Sequence, residues 1–476
     1  MSVLWTAAEA AAATGGKTRG NWHVKGVSID SRDITPGDLF VALKDARDGH
    51  DFVAAALAAG AAAALVSYVP DGVDETAPLL MVDDVLAALE ALAAAARART
   101  AAKVVAITGS VGKTSTKDML RTALKKQGRV HAAVKSLNNH WGVPLTLARM
   151  PRNTDFALIE IGMNHAGEIT PLSRLAAPHV AIVTTVAEAH MAAFDSVQDI
   201  ARAKAEIFDG IVAKGTAILN MDIITYDILR DAAAGAGAGI IGFGAANGAA
   251  FCLKDAHLAG GITAVKAEIH GTPVLFKIGA PGRHLAVNAM AVLAAVEAVG
   301  ADLAVAMLDL AGWHPPQGRG KRHWIRLDRV EESLRIELID DAYNANPASM
   351  AAAFEVLAGS SPVDGVGRIN AGRRVAFLTD MLELGPNAAD SHRRLADLPA
   401  MTAIDLVHTA GPMMRHLHQA LPGQKQGEWH ENAEGLAARV SRLLDAGDVI
   451  LVKGSKGSKA SMVVDAIKKL GQTGET

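Results

Sequence analysis

KVVAITGSVGKTSTKDMLRTAL, residues 103–124, reads as an apolar strand, a glycine turn and a helix. Phosphate oxygens need several backbone N–H groups aimed at one place, and glycines let the backbone approach. Gly109, Ser110, Val111 and Gly112 supply such a turn, followed by Lys113, Thr114 and Ser115. Lys113 offers a point charge to β/γ oxygens and Thr114 a hydroxyl to Mg2+. Ile107 stands where the longer G-x-x-x-x-G-K-[ST] pattern has its first glycine, so the segment fits the shorter T-G-x-x-G-K-T form. An ordinary glycine turn is the alternative. The strand before it and the helix after it favour binding of nucleotide phosphates.

Outward from this loop, strand-like runs at Phe156–Ile161, Val180–Val186 and Thr216–Leu219 alternate with helical patterns. That alternation predicts a mostly parallel sheet with helices on both faces. The block closes with a helix over 284–299 and the breaker HPPQGRG at 314–320. A second unit of the same kind follows. Its strands are expected at Arg335–Ile339, Val375–Thr379, Asp405–Thr409 and Val449–Val452, and its helices at 347–358, 388–396 and 432–445. Ahead of the loop, residues 1–100 mix short strands with alanine-rich helices, the last over 83–99. The predicted fold class is therefore α/β in three domains, 1–100, 101–313 and 314–476, the first the smallest.

Length agrees: 476 residues at ~150 per domain suggest about three. Half the residues are hydrophobic and 20% are charged, which argues against disorder. Net charge is −3, so neither a polybasic nucleic-acid binder nor an acidic tail is indicated. The single Cys252 excludes an internal disulfide and an all-cysteine zinc site. Residues 52–69 are an uncharged stretch of 18, the lower bound for a membrane span. The stretch is mostly alanine and broken by Gly60, so it is read as a helix over 51–59, a stop, and a buried strand at Ala63–Tyr68. The first residues lack a basic stretch and carry Glu9, unlike a signal peptide. A soluble cytoplasmic protein, binding neither membrane nor nucleic acid and monomeric by default, is expected.

Three residues downstream of the loop carry chemistry. Glu160 sits in an apolar strand run, where a carboxylate needs a metal or a basic partner. Mg2+ is one outlet and an ion pair the other. His190 follows a strand, where metal ligands and general bases lie, but a surface-loop histidine is the simpler reading. Lys204, in ARAKAEIF, reads by itself as a solvated helix lysine.

Several segments together resemble the Mur ligase family of ATP-dependent amide-bond ligases. They are TGSVGKTS, SLNNHWGVP (136–144), IEIGMNHAGEI (159–169), AEAHMAAFDS (187–196), ARAKAEIF (201–208), PGRH (281–284), QGRG (317–320), DDAYNANPASM (340–350) and VKGS (452–455). Within the family, GMNHAGEI and DDAYNANP are similar to the member acting on D-alanyl-D-alanine and UDP-N-acetylmuramoyl-tripeptide, as are DSR at 30–32 and GHDF at 49–52. The resemblance implies a first domain for the UDP-linked muramoyl peptide, a central P-loop domain for ATP and a Rossmann-like last domain. It implies Thr114 and Glu160 as ligands of one Mg2+, and His190 near a second. It implies Lys204 as a lysine carbamoylated by CO2, whose carbamate would bind metal. Asn288 then lies near adenine, Arg319 meets the γ-phosphate and Asp341 binds ribose.

Asn138 and Asn139 are expected to face the substrate or the phosphates. Asn344 and Asn346 are assigned to the dipeptide side, with helix capping before Pro347 as the alternative. Asp30, Ser31 and Arg32 are assigned to the uridine part, with a strand-end turn as the alternative. The implied reaction is amide formation through an acyl phosphate, with Lys113, His190, Lys204 and Arg319 as catalytic groups. Another ligase of the superfamily, such as folylpolyglutamate synthase, is the competing reading. The third residue of the peptide is left open.

Overall fold

The computed structural model describes residues 3–133, 136–189 and 191–475. Its architecture is mixed α/β, with three main sheets that each draw on one stretch of chain. The first has strand order Lys17–Arg19, Leu79–Met81, Ala63–Val66, Asp38–Val41, Gly26–Ser28, and only the first pairing is antiparallel. The uncharged stretch follows a 3-10 turn (Gly49–Phe52) and becomes a helix (Val53–Ala58) and a strand ending at Val66, shorter than expected. Gly60 makes the stop with φ of +105°, a left-handed conformation that favours glycine. Among the described residues no helix is long and apolar enough to cross a membrane.

The central sheet has nine strands. Val130–Ala132, Phe156–Glu160, Lys103–Thr108, Val180–Val183, Thr216–Asn220, Gly239–Gly244 and Phe251–Ala259 run parallel in that order. Alternation sends Val105 and Ile107 to one face, against the helices Lys113–Leu124 and Arg283–Ala298. Val104 and Ala106 go to the other face, against Ile169–Ala176 and Val197–Ala205. The strand expected to reach Val186 stops at Val183, and beyond it the Thr184 hydroxyl donates to the Val111 carbonyl at 2.6 Å.

Sequence reading missed the far edge of this sheet. Phe251–Ala259, Ile262–Ile269 and Thr272–Ile278 form an antiparallel meander. Its signal was present in the two-residue turns Gly260-Gly261 and His270-Gly271, all four residues having positive φ.

The last sheet runs Gln426–His430, Leu406–Ala410, Arg374–Thr379, Val449–Lys453, Arg335–Asp341, Lys321–Arg326, Gln472–Glu475. Its first five strands are parallel and the last two antiparallel. The helix expected over 347–358 is present as Pro347–Ala358. Those over 388–396 and 432–445 are each divided, the second into Ala433–Ala437 and Val440–Leu443.

The stretches interlock. Helix Gly142–Ala148 leaves the central sheet to lend Leu145 and Ala148 to the first sheet's core. There the Trp5 indole donates to the Ala148 carbonyl at 2.9 Å.

Candidate active site between two strand ends

Parallel sheets place ligands beyond the carboxyl ends of their strands. Here two such edges face each other across a cleft of about 1000 Å³. From the central sheet come the loop after Thr108, then Glu160, Thr184 and Asn220; from the last sheet come Asp341 and Lys453.

The phosphate loop is shaped by its glycines. Gly109 has φ of +149°, and a Cβ there would stand 2.0 Å from the Thr184 hydroxyl. Gly112, with φ of +85°, precedes the helix, and a Cβ there would stand 3.0 Å from the Asn288 amide nitrogen. The Ser110 hydroxyl donates to the Ala187 carbonyl at 3.0 Å, closing the loop from above. Ser110, Val111, Gly112, Lys113, Thr114 and Ser115 line the cleft. Lys113 Nζ curls back to donate to the Gly109 carbonyl at 2.7 Å. Burial lowers its pKa, with Glu160 opposing and Arg319 adding to the effect.

Glu160 has the basic partner of the ion-pair alternative: its Oε2 pairs with Lys117 Nζ at 3.1 Å. Its Oε1 accepts from the Thr114 hydroxyl at 3.0 Å and from Asn138 Nδ2 at 2.9 Å. Burial alone would raise the carboxyl pKa, but the ammonium groups of Lys117 and Lys113 outweigh it and hold Glu160 below its ordinary value. Among the described residues no three His, Cys, Asp or Glu side chains gather as a ready-made metal cage. A hydroxyl and a carboxylate in contact beside a phosphate loop are nonetheless the hard oxygen donors that suit Mg2+, which takes its remaining ligands from phosphates and water.

Lys204 is not the solvated lysine of the simple reading. It is buried at 2% exposure, and burial, aided by Lys113, pulls its pKa well below the usual lysine range. A neutral amine is the form that can attack the carbon of CO2. His190 lies outside the described residues.

Arg319 brings the last unit to the loop. Its Nη2 donates to Thr114 Oγ1 at 3.3 Å, and its guanidinium stacks over the Tyr343 ring at 4.0 Å. Asp341 lines the cleft beside Lys453, whose Nζ lies 2.7 Å from its Oδ2; burial raises the Asp341 pKa and the ammonium opposes that. Asn288 and Asn139 also line the cleft, the latter accepting from the Gly142 N–H at 2.9 Å. Asn344 is exposed in the cleft. Asn346 caps helix Pro347–Ala358, accepting from the Ser349 N–H at 2.9 Å, as the capping alternative describes.

Asp30, Ser31 and Arg32 do not line this cleft. Asp30 accepts from the Arg32 N–H at 3.0 Å and pairs with its guanidinium at 2.7 Å, forming a strand-end turn.

Four residues at the site escaped assignment from sequence. Lys117 lies one helical turn beyond Lys113, so its i+4 spacing was a usable signal. Ser136, 3.0 Å from the Thr114 hydroxyl, and Thr184 had none. Glu206 accepts from the N–H groups of Gly167 (2.6 Å) and Ile169 (3.0 Å), pinning the GMNHAGEI loop, a contact only the fold reveals.

Comparison with known proteins agrees with this geometry. The Mur ligase family catalytic domain matches residues 23–98, the Mur ligase middle domain 107–296 and the Mur ligase glutamate ligase domain 325–456. The chain is 31% identical to the UDP-N-acetylmuramoyl-tripeptide--D-alanyl-D-alanine ligase of Rickettsia prowazekii, covering 97% of this chain and 99% of that one. It is 36% identical to the Escherichia coli enzyme of the same name, covering 94% of each. A crystal structure of MurF from Acinetobacter baumannii superposes with a TM-score of 0.82 at 28% identity, covering 98% of this chain and 99% of that one. Matched in three successive stretches and along nearly its whole length, the chain belongs to the Mur ligase family.

Proposed function

We propose that this ATP-dependent ligase joins D-alanyl-D-alanine to UDP-N-acetylmuramoyl-tripeptide, a step of peptidoglycan precursor synthesis that serves cell shape and division. We place it in the cytoplasm, acting as a monomer. A carboxylate oxygen of the tripeptide attacks the γ-phosphorus of ATP, the bond to the bridging oxygen breaks, and ADP leaves. The dipeptide's free amine then attacks the acyl carbon and loses a proton. Phosphate departs with the former carboxylate oxygen.

Carboxylate and triphosphate are both anions, so the chain must position them and offset their charge. Lys113 and the loop N–H groups hold the β/γ end, and Arg319 approaches it from the opposite wall. Mg2+ held by Thr114 and Glu160 would supply further charge neutralisation. A carbamate on Lys204, with His190, would hold a second ion. The residues of the first unit around Asp30 would take the uridine part, and Asn344 the dipeptide side.

One observation carries this reading. Arg319, from the last unit, reaches the Thr114 hydroxyl of the central unit at 3.3 Å, so the two walls meet where phosphoryl transfer would occur. Phosphate release from Mg2+-ATP is the test, with the two acceptors added singly and together. Release is expected only when both are present. No release with both would move the search to other carboxylate–amine pairs, beginning with folates and glutamate. The carbamate is checked separately: protein equilibrated with ¹³C-labelled CO2 should show a carbamate carbonyl resonance that Lys204→Ala lacks.

A further inference from the structure

The turn that follows Asp341 is held from beneath by a buried ammonium. Lys453 ends strand Val449–Lys453, directly opposite Asp341 on the neighbouring strand, and is 2% exposed. A buried lysine requires a partner, and the carboxylate of Asp341 at 2.7 Å provides one. Neutralisation would be complete with that contact alone. Lys453 makes a second, donating to the backbone carbonyl of Asn344 at 2.9 Å. This bond reaches past the strand end into the turn.

Tyr343 lies inside that turn, and what it touches gives the second bond its consequence. Its N–H donates to the Gly318 carbonyl at 3.1 Å, and its ring lies under the Arg319 guanidinium. Gly318, with φ of +74°, lets the two segments close, since a Cβ there would stand 3.1 Å from the Tyr343 Cβ. Arg319 in turn reaches Thr114. A continuous set of contacts thus runs from Lys453 through Asn344 and Tyr343 to Arg319 and the phosphate loop.

We propose that Lys453 is a positioning residue: its bond to the Asn344 carbonyl sets the turn that presents Tyr343 beneath Arg319, and so places the guanidinium at the phosphate loop. The proposal rests on the reading of Arg319 as the group that meets the γ-phosphate.

The test uses the full chain with Mg2+ and compares calorimetric affinities for ADP and for a non-hydrolysable ATP analogue. Neither acceptor substrate is needed, so the result does not depend on their identity. The analogue-over-ADP preference reads the γ-phosphate contact. Lys453→Met is expected to reduce that preference about tenfold, the loss expected for one misplaced charge-assisted contact. Arg319→Ala should do the same, and the double variant should be no worse than Arg319→Ala alone. Tyr343→Ala, at a partly exposed position, tests the same route should Lys453→Met fail to fold, and should also lose the preference. A variant of Lys453 or Tyr343 that weakens both nucleotides equally, or neither, overturns the proposal. A wild type that binds both nucleotides equally overturns the reading of Arg319 and the proposal with it.

Discussion

The two walls of the cleft are built alike and composed differently. Each is the carboxyl edge of a parallel sheet. On the central wall the groups proposed to hold phosphate come from one unbroken loop, Gly109 to Ser115, shaped by two glycines and carried on a helix N-terminus. On the last wall the groups that line the cleft are scattered: Arg319 precedes a strand, Asp341 ends another, and Lys453 ends a third, more than a hundred residues on. A contiguous site is positioned by local backbone geometry. A scattered site is positioned by strand register and by contacts between side chains. The first should tolerate change around it and fail at its own residues; the second should be sensitive to its supports.

The largest effect is expected where the contiguous site is broken. Lys113→Met should lower phosphate release by about 10³-fold, in the range found when a preorganised charge facing the transition state is removed. Stability should not fall with it. The Lys113 ammonium is disfavoured by burial, and among the described residues its hydrogen bond is to its own loop. A thermal midpoint equal to or above the wild type, alongside lost activity, would confirm a loop held by its backbone. A lowered midpoint would show that Lys113 is structural as well.

A smaller effect is expected on the scattered wall. Arg319→Lys keeps the charge and loses the planar fork, both for the Thr114 contact and for the stack on Tyr343. We expect a loss of about 10²-fold in kcat/KM, with most of it in kcat if the contact serves the transferring phosphoryl group as proposed. A lysine variant with wild-type kcat would mean that charge alone suffices there and that stacking contributes nothing.

The same contrast explains what the sequence disclosed. The phosphate loop was legible without any relative, because its glycines, lysine and threonine are adjacent and lie between a strand and a helix. Arg319 and Asp341 were legible only through resemblance, since nothing in QGRG or DDAY states which wall it will face. Lys204 was read as solvated from its helical context, yet it is buried, because burial on a helix is decided by what packs on it. The parallel strands were found from apolar runs. The meander over 251–278 was missed although its paired turns were visible, because its hairpins break the βα alternation that the other strands of the sheet follow. The Lys453 contacts are facts of strand register, which no linear motif carries.

The smallest expected effect separates the supports of the last wall from its chemistry. His408 is buried in the last sheet at 1% exposure, stacked on Phe377, with Nδ1 accepting from the Glu428 N–H at 2.9 Å. Its Nε2 finds no partner among the described residues. Burial lowers its pKa to about 4, with Glu428 opposing and Arg373 adding to the effect. In the unfolded chain the ring takes its proton near the ordinary value of about 6.5. Below that pH the unfolded state binds more protons than the folded one, so stability is full above about 6.5 and is lost progressively as pH falls towards about 4. Buried His131 of the central unit has a lowered pKa too, but it keeps a backbone partner, the Thr146 carbonyl at 2.7 Å, which favours its protonated form. His408→Gln preserves a side-chain acceptor for Glu428 and cannot titrate. Thermal midpoints measured from pH 7 to pH 4 should therefore fall less steeply in the variant than in the wild type. Parallel curves would mean that folded His408 takes its proton at the same pH as the unfolded chain, as it would if water reached the ring, and the scattered wall would then owe its acid response to the carboxylates at its edge.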